Sequence, residues 1–131
     1  MTIREITFED YDMLVPFWKE NYFVNEHDSQ ERFKLFLEKN PGLSILAEED
    51  GEIIGSALGS FDGRRGYIQK LVVRKDQRRK GLGKKLMENI IKKLRSAGVS
   101  YIPLGIEAEY VSFYEKCGLK KTKQVSMNID I

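Results

Sequence analysis

Arg78-Arg79-Lys80-Gly81-Leu82-Gly83 stands where an apolar run, Leu71-Val72-Val73, passes into an amphipathic segment. Seven of the twelve residues from Arg74 to Lys85 are Lys or Arg. Cations at a helix start oppose the macrodipole, which favours negative charge there by about 0.3–1 kcal/mol per group. A helix shaped only for stability carries Asp or Glu in that turn. An anion from outside the chain removes the conflict. Free N–H groups at a helix start, Gly81 and Gly83 permitting close approach, and flanking cations together describe a phosphate site at Arg78, Arg79, Lys80, Gly81, Leu82, Gly83 and Lys84. A solvated basic loop or a nucleic-acid patch shares the charge. Neither requires the order strand, glycine, helix. The spacing is not the GxGxxG of a dinucleotide fold, nor the Gly-Lys-Ser/Thr ending of a nucleotide-triphosphate loop.

Other chemistry is sparse. Cys117 is the single cysteine, so no intramolecular disulfide forms, in keeping with a reducing compartment. There is one histidine, His27, and no Cys/His cluster, so no metal site is expected. The chain of 131 residues suits one domain, 1–131. Its net charge is only +2, which makes the basic cluster local and weighs against a nucleic-acid role. No apolar run approaches the ~20 residues of a membrane span. MTIREITFED lacks the apolar core of a signal peptide, and the expected location is the cytoplasm.

The elements that must carry the basic turn follow from periodicity. Thr2–Thr7 reads as a strand. Thr7 with Asp10 reads as a helix start, and a helix over Phe8–Glu20 carries Tyr11, Leu14, Val15 and Trp18, shortened or kinked by Pro16. An aromatic connection with Tyr22 and Phe23 leads to a capping signature at Asp28 and Glu31. A second helix follows, stopped by Asn40-Pro41-Gly42. Leu43–Ala47, Glu52–Phe61 and Arg65–Val73 form a meander with tight turns at Asp50-Gly51 and Asp62-Gly63. Gly55 and Gly59 inside the middle strand mark a bulge or a close approach. A helix over Gly81–Ser96 has the stripe Leu82, Leu86, Ile90, Leu94. Tyr101–Ile106 is expected as a strand parallel to the one before the helix, Tyr110–Lys116 as a short helix, and Lys120–Ile131 as a last strand through Val125, Met127, Ile129 and Ile131. The sum is an α+β domain with a mixed, mostly antiparallel sheet of six to seven strands and about four helices. Its phosphate turn lies at the carboxyl end of a strand.

In this order the chain resembles the GNAT N-acetyltransferase superfamily over nearly its whole length. Arg78-Arg79-Lys80-Gly81-Leu82-Gly83 matches the Arg/Gln-x-x-Gly-x-Gly/Ala signature for acetyl-CoA. Phe113-Tyr114-Glu115-Lys116-Cys117-Gly118-Leu119 is similar to the family's Phe/Leu-Tyr-x-x-x-Gly-Phe. The resemblance implies that backbone N–H groups near Arg79–Lys84 hold the CoA pyrophosphate. It also implies that the strand Leu71, Val72, Val73 pairs with the pantetheine arm, as an added strand pairs with an open edge. The reaction implied is direct acetyl transfer from acetyl-CoA to an amine, small-molecule or peptide; the last strand could pair within a monomer or across a homodimer. Tyr114 would donate to the departing sulfur, since a phenol is protonated at neutral pH.

Three positions depart from the family. Glu107 stands where an Asn is common, Tyr110 where an Ala is common, and Leu119 where Phe is usual. Glu107 is a candidate base for the acceptor or an exposed helix cap. The strand Arg65–Val73 offers no carboxylate, which leaves a water relay beside Glu107, with Glu20, Glu26 and His27 further off. Cys117 has no visible activating base and reads as packing. A CoA-binding sensor without transfer is the alternative reading of the same motifs.

Overall fold

The computed structural model describes all residues, Met1–Ile131. Four strands form one antiparallel sheet in the order β1-β2-β3-β4: β1 (Thr2–Glu5), β2 (Ile45–Glu49), β3 (Glu52–Phe61) and β4 (Gly66–Val73). Helices α1 (Tyr11–Asn21) and α2 (Gln30–Lys39) precede β2, while α3 (Leu82–Ser96) and the short α4 (Val111–Lys116) follow β4. The α+β class and the four helices agree with expectation. The strand number does not, because the sheet has four strands and no parallel pair. Tyr101–Ile106 runs beside the start of β4 with a single bond, Gly66 N–H to the Tyr101 carbonyl at 2.9 Å. Pro103 has no N–H to give to a ladder, which interrupts any pairing there. The segment Lys120–Ile131 therefore has no neighbouring strand to join. Val125, Met127, Ile129 and Ile131 are exposed. Alternation tells which face a strand would show, not whether an edge exists to receive it.

Two apolar clusters sandwich the sheet. Ile45, Ala47, Ile54, Ala57 and Ile68 pack on Leu82, Leu86, Met87, Ile90 and Leu94 of α3. Leu46, Ile53, Leu58 and Val72 pack on Leu14, Phe17, Trp18 and Phe33 of α1 and α2. The middle-strand glycines serve the α3 face. A Cβ at Gly55 would come 2.8 Å from Leu86 Cδ1, and one at Gly59 would collide with the Leu43 carbonyl and Ile90. The hairpin turn has Asp50 at φ 53 and Gly51 at φ 77, the pair of positive values a type I′ turn requires.

Three local features differ from the sequence reading and matter for the site. Pro16 sits inside α1 without ending it. Helix α2 is capped by Ser29, whose Oγ accepts from Arg32 N–H at 3.2 Å, and not by Asp28. Finally, β4 is bulged. Ser56 pairs with Val72 and Leu58 with Gln69, so β4 holds one residue more than β3 over this stretch. The extra residue flips the alternation: Ile68 faces α3, yet Val72, four positions on, faces α1. Lys70, at φ 50, is the residue that absorbs the turn.

Candidate active site

The start of α3 is built as the basic turn suggested, with the roles of its glycines divided. Arg79 (φ 64) and Gly81 (φ 86) both adopt left-handed backbone, which for Arg79 costs about 1–2 kcal/mol. Alternation of this kind aims successive N–H groups toward one side. No side chain caps α3, its first turn has no acidic residue, and its first intrahelical bond is Lys85 N–H to the Gly81 carbonyl at 3.1 Å. The N–H groups before Lys85 thus lack intrahelical acceptors. A Cβ on Gly81 would meet nothing within 4 Å, so that side is open. Gly83 is different: its missing Cβ would lie 3.1 Å from the Phe113 ring. Gly83 lets α4 close onto α3.

The loop that carries the turn is stapled to the end of α1. Asn21 is buried, and its Oδ1 accepts Lys75 N–H at 3.1 Å while its Nδ2 donates to the Phe17 carbonyl at 2.9 Å. Arg78 donates from Nε to the Val73 carbonyl (3.1 Å) and from Nη2 to the Asn21 carbonyl (2.9 Å). Arg74 turns to Glu52 and Asp76 at 2.8 and 2.7 Å, which neutralises one cation of the cluster. Nothing in the sequence marked Asn21.

The second motif is a short helix with a tight stop. Gly118 N–H bonds to the Glu115 carbonyl and Leu119 N–H to the Tyr114 carbonyl, both at 3.0 Å, with Gly118 at φ 96. These two bonds make a Schellman cap, which is why a glycine follows Cys117. The ring of Phe113 stacks edge-on against Tyr114, 5.0 Å between centroids. Burial first, then the neighbouring Tyr22, Cys117 and Tyr110, pushes the Tyr114 hydroxyl up to about 12. It is a proton donor throughout the neutral range. Burial also pushes the Cys117 thiol up, with Glu88 adding to it and Lys84 opposing. A thiol so held is a poor nucleophile.

A cleft of about 1360 Å³ joins these parts. It runs from Arg78, Arg79, Gly81, Gly83 and Lys84 along Leu71, Val72 and Val73 to Tyr114, and is closed beyond by Tyr22, Phe23, His27, Asp28, Lys70, Glu107 and Tyr110. Lys80 and Leu82 do not line it; Leu82 is core. Glu107 lies on its rim with its carboxyl held above the ordinary range, chiefly by the hydrogen bond its protonated form donates to Glu109, then by desolvation and the Glu109 charge. Of the remoter candidates only His27 reaches the cleft, its Nδ1 accepting from Arg32 at 2.8 Å. Glu20 and Glu26 do not line it.

Besides Asn21, sequence reasoning missed Lys70. Its Nζ is 3.0 Å from Asp28 Oδ2 and 2.7 Å from the Phe23 carbonyl. A lone charge within an otherwise apolar strand was the available signal, but it resembles an ordinary outward-facing lysine.

Known proteins place this architecture. The model of the Acetyltransferase (GNAT) family matches residues 6–119. An acetyltransferase of Sodalis glossinidius (strain morsitans) is 30% identical over 120 residues, covering 88% of this chain and 84% of that protein. Glucosamine-6-phosphate N-acetyltransferase from Arabidopsis thaliana superposes with a TM-score of 0.73 at 28% identity, over 98% of each chain. PaiA N-acetyltransferase from Thermoplasma acidophilum, solved in complex with coenzyme A, has a TM-score of 0.82 over 95% of this chain and 92% of that one. Its identity is 19%, so it speaks for the fold alone. With the family model reaching from Ile6 to Leu119, across every strand but the first and both glycine motifs, the chain belongs to the GNAT family of acetyltransferases.

Proposed function

We propose that the protein moves the acetyl group of acetyl-CoA directly to a primary amine, of a small molecule or a peptide, with donor and acceptor held together in one cleft. The observation that carries this reading is continuity. One cleft connects the uncapped first turn of α3 to the half-buried hydroxyl of Tyr114.

The donor set fits the pyrophosphate of CoA: free backbone N–H groups, an open side at Gly81, and the exposed cations Arg79 and Lys84 that line the cleft. Arg78 spends two of its five N–H donors on backbone carbonyls, which leaves three for a ligand. Arg74 N–H bonds to the Ile54 carbonyl of β3, and backbone groups alternate along the ladder. Leu71 and Val73 therefore turn theirs to the open edge, where a pantetheine amide would pair with the Leu71 groups and the Val73 N–H, the Val73 carbonyl being held by Arg78. When bound, acetyl-CoA supplies an activated acyl carbon and a thiolate leaving group. Tyr114 would hold the proton that the sulfur takes. Glu107, with its raised proton affinity, would receive the proton that an ammonium acceptor must lose before it attacks.

Tyr114→Phe is expected to lower turnover about 100-fold, a typical general-acid contribution. CoA affinity by isothermal titration calorimetry should stay within about twofold, since the hydroxyl is not part of the anion site. Turnover unchanged at every pH would remove Tyr114 from the chemistry. A panel of polyamines, amino sugars and peptides with free amino termini, followed by thiol release, identifies the acceptor. CoA binding with no thiol release from acetyl-CoA across the panel would favour a CoA sensor instead.

A further inference from the structure

Lys70 is held at both ends. Its carbonyl accepts from Ser56 Oγ at 2.8 Å, and Ser56 in turn accepts from Trp18 Nε1 at 2.9 Å. Its ammonium meets Asp28 Oδ2 and the Phe23 carbonyl, and lies 5.1, 5.6 and 4.3 Å from the ring centroids of Trp18, Tyr22 and Phe23. The two charged side chains are only 8% and 10% exposed. Such burial is costly for both ions, and a lysine at φ 50 adds backbone strain that glycine or asparagine would avoid. A bulge alone needs none of this. What the ion pair does secure is the connection between α1 and α2. Asp28 Oδ2 also accepts Asn25 N–H at 3.0 Å, and the Asp28 carbonyl accepts from Tyr11 at 2.7 Å. The same connection carries Tyr22, which adds to the raised proton affinity of Tyr114 and itself feels the charge of Glu107.

We propose that Lys70 is the positioning residue of the acceptor wall. Gripped by Asp28 and the Phe23 carbonyl within a cage of three rings, it locks residues 22–28 onto the bulge of β4. It thereby sets the shape of the cavity in which the amine is received. The inference rests on the acetyl-transfer reading above for the identity of the wall, and on the ion pair for the lock.

Lys70→Met on the full chain tests it with four readouts. Amide exchange at residues 22–28 should quicken at least tenfold while β3 and α3 stay protected. Emission of Trp18, the only tryptophan, should change as the ammonium leaves its ring. KM for the amine preferred in the panel should rise at least tenfold, and CoA affinity should stay within twofold. Lys70→Arg, which keeps the charge, should recover part of the acceptor KM. Where Lys70→Met fails to fold, the isosteric Asp28→Asn carries the same measurements. Unchanged exchange at 22–28, or KM for amine and for acetyl-CoA rising in parallel, overturns the proposal. Should the native protein release no thiol with any amine, the acetyl-transfer reading fails on that result, while exchange and Trp18 emission still decide the lock.

Discussion

Ser56→Ala tests the bulge from behind the sheet. Ser56 is fully buried in β3, accepts the indole N–H of Trp18 at 2.9 Å and donates to the Lys70 carbonyl at 2.8 Å. Alanine fits the space but strands both partners. A buried polar group left without a partner costs about 1–3 kcal/mol. Trp18 is itself fully buried, so its N–H bears the larger share, and the half-buried Lys70 carbonyl the smaller. The sum is about 2–4 kcal/mol, a large part of the ~5–15 kcal/mol that keeps such a domain folded. With a urea m-value of about 2 kcal/mol/M, the middle of the usual range, the midpoint should fall by ~1–2 M. The assay is urea unfolding followed by circular dichroism, which stays valid when the tryptophan is replaced. Trp18→Phe in the Ser56→Ala background should cost less than in the native chain, because there it removes the indole N–H that Ser56→Ala has left without an acceptor; a coupling of about 1 kcal/mol is expected. A Ser56→Ala loss below ~0.5 kcal/mol, or strictly additive costs, would refute the reasoning that this relay holds the bulge.

Three further outcomes follow from other contacts. Glu109→Gln removes the carboxyl that raises Glu107, so the acid limb of kcat/KM should move to lower pH; an unmoved limb excludes Glu107 as the base. Gly83→Ala gains up to ~1 kcal/mol of helix propensity but presses Phe113 at 3.1 Å, a cost of similar size. Thermal stability should change little while turnover falls about tenfold through displacement of the neighbouring Tyr114 ring, and a native turnover rate would show the Gly83–Phe113 contact to be irrelevant to catalysis. Burial alone would raise the Asp10 carboxyl, but the Arg4 bonds at 2.8 and 3.0 Å and Thr7 N–H at 2.8 Å outweigh it and hold it below its ordinary value. A lowered folded-state value stabilises above the unfolded value and loses that stabilisation as pH falls through the folded one. Asp10→Asn should therefore be less stable than the native chain at pH 7, with the gap narrowing below about pH 4. A gap independent of pH in urea titrations would contradict the pairing.

Local physics made much of this protein legible in its residues. The amphipathic stripe of α3, the Asp50-Gly51 turn, the three-strand meander and the uncapped basic turn at Gly81 each depend on neighbours within a few positions, so spacing alone reports them. The two glycine motifs, read together and in order, carried the family, and through it the expected roles of Tyr114 and the Leu71–Val73 edge. What tertiary structure decided was every feature whose partner lies far along the chain. The strands expected at Tyr101–Ile106 and Lys120–Ile131 fail because pairing needs an edge that alternation cannot see. Gly83 looked like a phosphate glycine, yet its spare volume is filled by Phe113, thirty positions on. Asp28 looked like a helix cap, but Ser29 does that work and leaves Asp28 to Lys70, 42 positions away. The bulge that turns Lys70 inward shifts a strand by one residue. In a period-two element that single step exchanges the faces, and only the packed sheet records which way it went.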